Sequence, residues 1–168
     1  TVLGFDDLNY SYRMPGPPWA KLEGTNLNPD VSFAMLRAKP NTIVLIIAEK
    51  VGLELDFTIP KLIEVNKANF SSMATRLEIV EESSMRHGDL DGYRILARAN
   101  IGSRRISRLA WLFSTNGYCY QVFVTVDSKD EAVLQKDADM VLRGFALMDP
   151  SRIASVSSAE PFGRRVST

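Results

Sequence analysis

Between Leu77 and Val126 four β-prone segments follow one another with only short polar breaks between them. Leu77–Ser84, Tyr93–Asn100, Arg105–Phe113 and Tyr118–Val126 are rich in aliphatic, β-branched and aromatic residues. The breaks are His87-Gly88-Asp89-Leu90-Asp91-Gly92, a stretch around Gly102, and Asn116-Gly117. Strands joined so tightly run antiparallel, because a parallel neighbour needs a crossover of about a dozen residues or more. Asn116-Gly117 is the clearest turn, since both residues tolerate the positive φ of a two-residue hairpin; Asp91-Gly92 is the expected turn of the first hairpin. This run commits the chain to an antiparallel sheet.

Further elements flank it. Asn9–Arg13 (Asn-Tyr-Ser-Tyr-Arg) alternates and reads as a short first strand, broken by Met14-Pro15-Gly16-Pro17-Pro18-Trp19. Val31–Lys39 and Thr42–Lys50 are strands on either side of Pro40-Asn41. Thr42–Lys50 is apolar almost throughout, the pattern of a strand covered on both faces. Thr58 caps an expected helix over Thr58–Thr75 with Pro60 in its first turn, and Leu62, Ile63, Asn66, Phe70 and Met73 form its inner stripe. Ser128 and Glu131 form a capping-box pattern for a second helix running to Met148, with Val133, Leu134, Ala138, Val141, Leu142 and Phe145 on its apolar side and Pro150 as its stop.

Two helices separated in sequence, and a sheet apolar on both sides, define an α+β fold: an α/β/α sandwich with a central antiparallel sheet and one main helix on each face. Its expected core holds Ile46, Phe70, Leu96, Trp111, Val122, Val124, Val141 and Phe145. The globular domain takes up residues 1–150, and Ser151–Thr168, with little periodicity, reads as a mobile tail.

At 168 residues the chain suits one domain with a core of its own. Lysine plus arginine and aspartate plus glutamate number 20 each, so net charge is zero, which argues against general nucleic-acid binding through many phosphate contacts. A single cysteine excludes an internal disulfide framework. The longest apolar stretch, Thr42–Ala48, is too short to cross a bilayer. Thr1–Leu8 lacks the basic start and apolar run of a signal peptide, and a chain opening on Thr1 is expected to have been trimmed of any export signal or lipid anchor.

Reactive residue types are sparse. Cys119 lies in the most apolar strand between Tyr118 and Tyr120 and reads as a buried structural thiol rather than a reactive one. His87, the only imidazole, sits beside Gly88 with no base partner at any suggestive spacing, and is expected to be dispensable. Glu81, Glu82, Asp89 and Asp91 cluster nearby, yet lack a metal-loop spacing, and Glu81 and Glu82 point to opposite faces of a strand. No metal, cofactor or catalytic residue is assigned.

The arginines carry more. Arg94 and Arg98 share one face of their strand, and Arg105 or Arg108 on the next strand adds to them, forming a cross-strand basic patch. The competing reading is a solvated strand end paired with Glu78 or Glu82. Trp19, set among prolines, is either an exposed anchor for a partner or an aromatic tucked over the sheet end. The partner-binding candidates are thus Trp19, Arg94, Arg98, Arg105 and Arg108.

Tyr10-Ser11-Tyr12-Arg13 followed by Pro15 and Pro18-Trp19 resembles the opening of PsbP-like domains. The Val44–Glu49 strand, the Gly92-Tyr93 hairpin start and Gly117-Tyr118-Cys119-Tyr120-Gln121 fit the same pattern, from Leu8 to Pro150. That group takes in the extrinsic photosystem II protein, a Ran-binding import factor and many bacterial proteins. The resemblance implies a bacterial member with a non-catalytic accessory or docking role, a protein partner, no cofactor, and a place outside the cytoplasm in a larger envelope-associated assembly. The alternative is a small-molecule- or lipid-handling enzyme or binding protein with a groove between the sheet and helix 58–75, which requires His87, Glu82 and Arg98 to converge.

Overall fold

The computed structural model describes residues 1–23, 28–55 and 57–155. Ten strands and two α-helices follow in the order β1 (Val2–Phe5), β2 (Tyr10–Arg13), β3 (Ala20–Lys21), β4 (Val31–Ala38), β5 (Asn41–Lys50), α1 (Ile59–Met73), β6 (Thr75–His87), β7 (Leu90–Ile101), β8 (Arg104–Thr115), β9 (Tyr118–Asp127), α2 (Glu131–Arg143) and β10 (Phe145–Leu147). Seven strands form the main sheet in the order β3-β4-β5-β9-β8-β7-β6, every neighbouring pair antiparallel. β1, β2 and β10 form a second, small antiparallel sheet.

Alternation along the strands splits the core in two. Val44, Ile46, Leu96, Leu109, Trp111, Val122 and Val124 face one way and pack with Leu134, Val141 and Leu142 of α2 and with Tyr10, Tyr12 and Phe145 of the small sheet. Ile95, Ala97, Ala110, Leu112 and Phe123 face the other way and pack with Leu62 and Phe70 of α1. The α+β sandwich with a helix on each face is therefore the observed fold. All eight expected core residues are buried.

Each long turn follows local chemistry. At Asn116-Gly117 both residues take positive φ, 49° and 86°. The first hairpin instead turns at Gly88-Asp89, with Gly88 at φ 62°. Asp91 and Gly92 lie inside β7, where a Cβ on Gly92 would sit 2.5 Å from the ring of Phe113. That glycine serves a close side-chain approach, not a bend.

α1 begins as expected: the Thr58 side chain accepts from the Lys61 amide, and proline stands in the first turn. α2 departs from expectation at both ends. Asp130 is its N-cap residue, and Glu131 turns away from any capping box to bind the sheet. The helix stops at Arg143 rather than Met148, and Phe145 enters the core from β10. Gly144 explains the stop: Arg13 N–H donates to its carbonyl at 2.8 Å, and a Cβ there would lie 2.5 Å from the Arg13 carbonyl oxygen. A side chain would push β2 away, so the chain leaves the helix where β2 can dock.

Of the expected tail, residues 151–155 are described and 156–168 lie outside the described residues. Ala154 is buried and its amide donates to the Asn116 carbonyl at 2.8 Å, while Arg152 reaches the Asp6 carbonyl at 2.7 Å. The chain is thus fastened across the β8–β9 turn beyond Pro150.

Candidate partner-binding surface

The five residues singled out from the sequence do not form one patch. Trp19 is 7% exposed, with the Arg37 guanidinium 4.6 Å above its ring, so the tucked reading holds. Arg94, Arg98 and Arg105 lie on the α2 side, each tied to an acid. Arg94 pairs with Glu81 at 2.6 Å. Arg98 forms a two-pronged bridge to Glu131, at 2.7 and 2.8 Å, and also reaches Glu78. Arg105 meets Glu78 at 3.4 Å and bonds Asn100 and the Arg76 carbonyl. The Arg98 guanidinium, with Ser107 donating at 2.6 Å, holds the Glu131 carboxyl below its ordinary range. These three arginines stitch β6, β7 and α2 together.

The remaining candidates resolve similarly. His87 Nε2 meets the Phe145 carbonyl at 2.5 Å, with its ring beside the stacked rings of Phe113 and Phe145. Burial pushes the Cys119 thiol up to about 12, and its sulfur lies 3.9 Å from Ser114 Oγ. Glu82 accepts from Lys67 of α1 at 2.8 Å and from Tyr93 at 2.7 Å, which lowers its pKa. Glu81 and Asp91 are bound to Arg94 and Arg86. Among the described residues no group of three His, Cys, Asp or Glu is placed to hold a metal.

The alternative site fails in two respects. Glu82 pairs with α1, whereas Arg98 bonds α2 on the opposite face. His87 pairs with Leu90 and Arg98 with Glu78, about 30 Å apart along β6 at the usual strand rise. The space between sheet and α1 is filled by Leu62, Asn66 and Phe70.

Arg108 stands apart. It is on the α1 side, opposite its three companions, because its cross-strand partner is Ala97. Its guanidinium carbon lies 3.6 Å from the Phe70 ring centre and 4.6 Å from that of Phe123. Nη2 donates to Asn66 Oδ1 at 3.2 Å, and Asn66 in turn donates to Gln121 at 2.9 Å. Nε is buried with no partner. Among the described residues no carboxylate pairs with Arg108, and burial lowers its pKa to about 10. It remains cationic at neutral pH.

Beside Arg108 the sheet is open. Seven strands span about 29 Å and one helix covers about 10 Å. α1 lies over β7 and β8 and reaches β9 through the Asn66–Gln121 bond, and among the described residues no helix covers the same side of β5 and β4. There Ile43 is 37% exposed, and Leu36, Leu45 and Ile47 are half-buried. The expectation that β5 is covered on both faces is thus corrected: its even positions from Thr42 to Ala48 are buried and its odd ones are not. Cross-strand register puts Arg108, Thr125, Ile43 and Leu36 in one row, and Phe123 and Leu45 in the next. Sequence reasoning missed this strip because it counted apolar faces and not the width of the helix available to cover them.

This fold is that of PsbP-like domains. Solved structures similar to the chain include cyanobacterial PsbP (CyanoP) from Synechocystis sp. PCC 6803, with 13% identity over 88% of this chain and 91% of that one and a TM-score of 0.64. LpqN, involved in cell envelope biogenesis of Mycobacterium tuberculosis, is 10% identical over 83% of both chains, with a TM-score of 0.61. The Saccharomyces cerevisiae Ran-binding protein Mog1p is 12% identical over 92% of this chain and 98% of that one, with a TM-score of 0.57. No protein-family model matches the chain, and no curated protein matches it. Among the described residues no helix is long and apolar enough to cross a membrane.

Proposed function

We propose that the protein is a non-catalytic accessory or docking module of PsbP-like type that binds another protein through the open half of its α1-side sheet face. One observation carries this reading. β5 leaves Ile43 exposed and Leu45 and Ile47 half-buried at the margin of the α1-side core, on a side where an antiparallel strand facing water ordinarily carries polar residues. An apolar strip kept at a solvent position marks an interaction surface. Its apolar residues spread across neighbouring strands, an arrangement that suits a macromolecule, whereas small-molecule sites are concave and bury most of the ligand. The imidazole, the thiol and the Glu82 carboxylate all hold the fold together, which leaves a catalytic reading without a set of groups to work with.

The structural neighbours support a docking role in general terms. Mog1p is a Ran-binding protein and LpqN takes part in cell envelope biogenesis. The LpqN likeness favours an extracytoplasmic, envelope-associated placement. The patch expected from Trp19, Arg94, Arg98 and Arg105 ranks below the open strip, since burial or acid partners already engage those side chains.

A photo-crosslinking amino acid placed at Ile43 or Ile47 in the native host tests the reading. Covalent adducts with a protein are expected from both positions, and none from Lys129 or Lys136 beside and on α2. Absence of protein adducts from the strip would remove it as a docking surface.

A further inference from the structure

We infer that the open strip receives an amphipathic helix from a protein partner, and that an aspartate or glutamate on that helix pairs with Arg108. The inference rests on the docking reading above and adds the chemistry of the partner.

Three observations lead to it. The first is the charge. A mostly buried guanidinium with no carboxylate carries a desolvation cost that neither aromatic stacking nor one amide bond to Asn66 fully offsets. Every other arginine on β7 and β8 has an acid: Arg94 has Glu81, Arg98 has Glu131, Arg104 has Asp127 and Arg105 has Glu78. Arg108 alone of this group faces the strip.

The second is the dimension. Among the described residues the band over β4 and β5 that no helix covers is about 10 Å wide at the usual strand spacing, the width of one helix laid beside α1. β5 has ten residues, about 33 Å of strand, which a helix of about twenty residues matches. Among the described residues α1 is the one α-helix on this side of the sheet.

The third is position. Arg108 is in register with Thr125 and Ile43, so it stands at the seam between α1 and the uncovered band. A helix packed there would put its apolar stripe on Ile43, Leu45 and Ile47 and bring an edge residue toward the guanidinium. The acid would gain a partner that is already desolvated and held in orientation by Phe70 and Phe123. Central, desolvated arginines are enriched among residues that dominate interface energy.

The probe is a displayed library of amphipathic helices of about twenty residues, with the positions flanking the apolar stripe randomised. Selection on the wild-type domain is expected to enrich aspartate or glutamate at one flanking position. Selection on Arg108→Met should lose that enrichment, and on Arg108→Glu it should turn to lysine or arginine. For a selected peptide, Arg108→Met and the acid-to-amide change should each weaken binding about tenfold, and the two together no further. Thermal unfolding guards against a folding artefact: Arg108→Met should melt no lower than wild type, because it removes a buried charge.

Enrichment that ignores Arg108, or additive losses, would overturn the pairing. Failure to select any helix would overturn the occupant. A dimer abolished by Ile43→Thr would assign the strip to a second copy of the chain, and flotation with anionic vesicles lost in the same variant would assign it to a membrane; either result overturns the inference. Crosslinks from the strip in the host without Arg108-dependent selection would leave the docking reading standing and remove only the helix and its acid.

Discussion

The two faces of the main sheet are built on different principles. On the α2 side a helix and a three-stranded sheet together cover the strands, and the layer is locked by ions and hydroxyls. Arg98 grips Glu131 at the start of α2, and Arg37 meets Asp137 further along at 2.6 Å, both side chains nearly buried. Tyr12 donates to the Val141 carbonyl and Tyr120 to the Leu8 carbonyl, each at 2.8 Å. On the α1 side one helix among the described residues covers only part of the width, and its polar ties end at Glu82, Gln121 and an arginine with no acid. One face is finished within the described residues; the other has room for something else. A nearly continuous apolar run along a strand, such as Thr42–Ala48, does not show that both of its sides are closed.

Substitutions can break or sharpen that contrast. The largest effect is expected from Phe145→Ala, which empties a fully buried site stacked on Phe113 and edge-on to Tyr120. Chemical denaturation should show a loss of about 3–5 kcal/mol; a loss under about 1 kcal/mol would mean the α2 side is loosely packed. Asp137→Ala should follow at about 3 kcal/mol, since it strands the Arg37 cation in a nearly dry site. If the loss is no greater than that of an exposed pair, the ionic lock on this face is not what holds α2.

Cys119 reports on how well α1 seals its own half. The thiol has an ordinary value of 9.0 and is held near 12 in the fold, chiefly by burial. The folded state therefore favours the protonated form. The resulting stabilisation is complete below about pH 9 and is lost as pH rises toward about 12, where the unfolded chain ionises first. Wild type should lose more stability than Cys119→Ala across that window, as measured by urea unfolding at stepped pH, and native protein at neutral pH should resist thiol alkylation. Rapid stoichiometric labelling would show that α1 opens readily. The smallest effect is expected from Ile43→Thr on the open strip. It should change stability by no more than about 0.5 kcal/mol while abolishing the strip crosslinks. A clear loss of stability there would mean that the strip is part of the core.

Much of the scaffold could be read from residue order. Asn116-Gly117, the Thr58 cap with Pro60, and the aromatic and β-branched run Tyr118–Val126 each specify a local conformation on their own, and all three appear where expected. Elements that depend on distant company could not be read this way. β1 and β10 are short strands, stable only because each pairs with β2. Ser128 and Glu131 have the spacing of a capping box, but Arg98 and Ser107 offer Glu131 charge-assisted bonds that the helix end cannot match. Of the candidate site, Arg108 was legible as one of a group of arginines, while its separation from that group was not.

The sequence by itself determined the antiparallel sheet, the two main helices, the core residues and the scarcity of paired reactive groups, because turn chemistry and side-chain periodicity act over a few residues. Only the tertiary structure decided where α2 ends, where the first hairpin turns, which arginines meet acids, and which half of a face stays open. Those outcomes depend on how close β2 comes to Gly144, how near Phe113 lies to Gly92, and how far one helix reaches across seven strands. Distances between parts remote in sequence set them, and no local pattern encodes such distances.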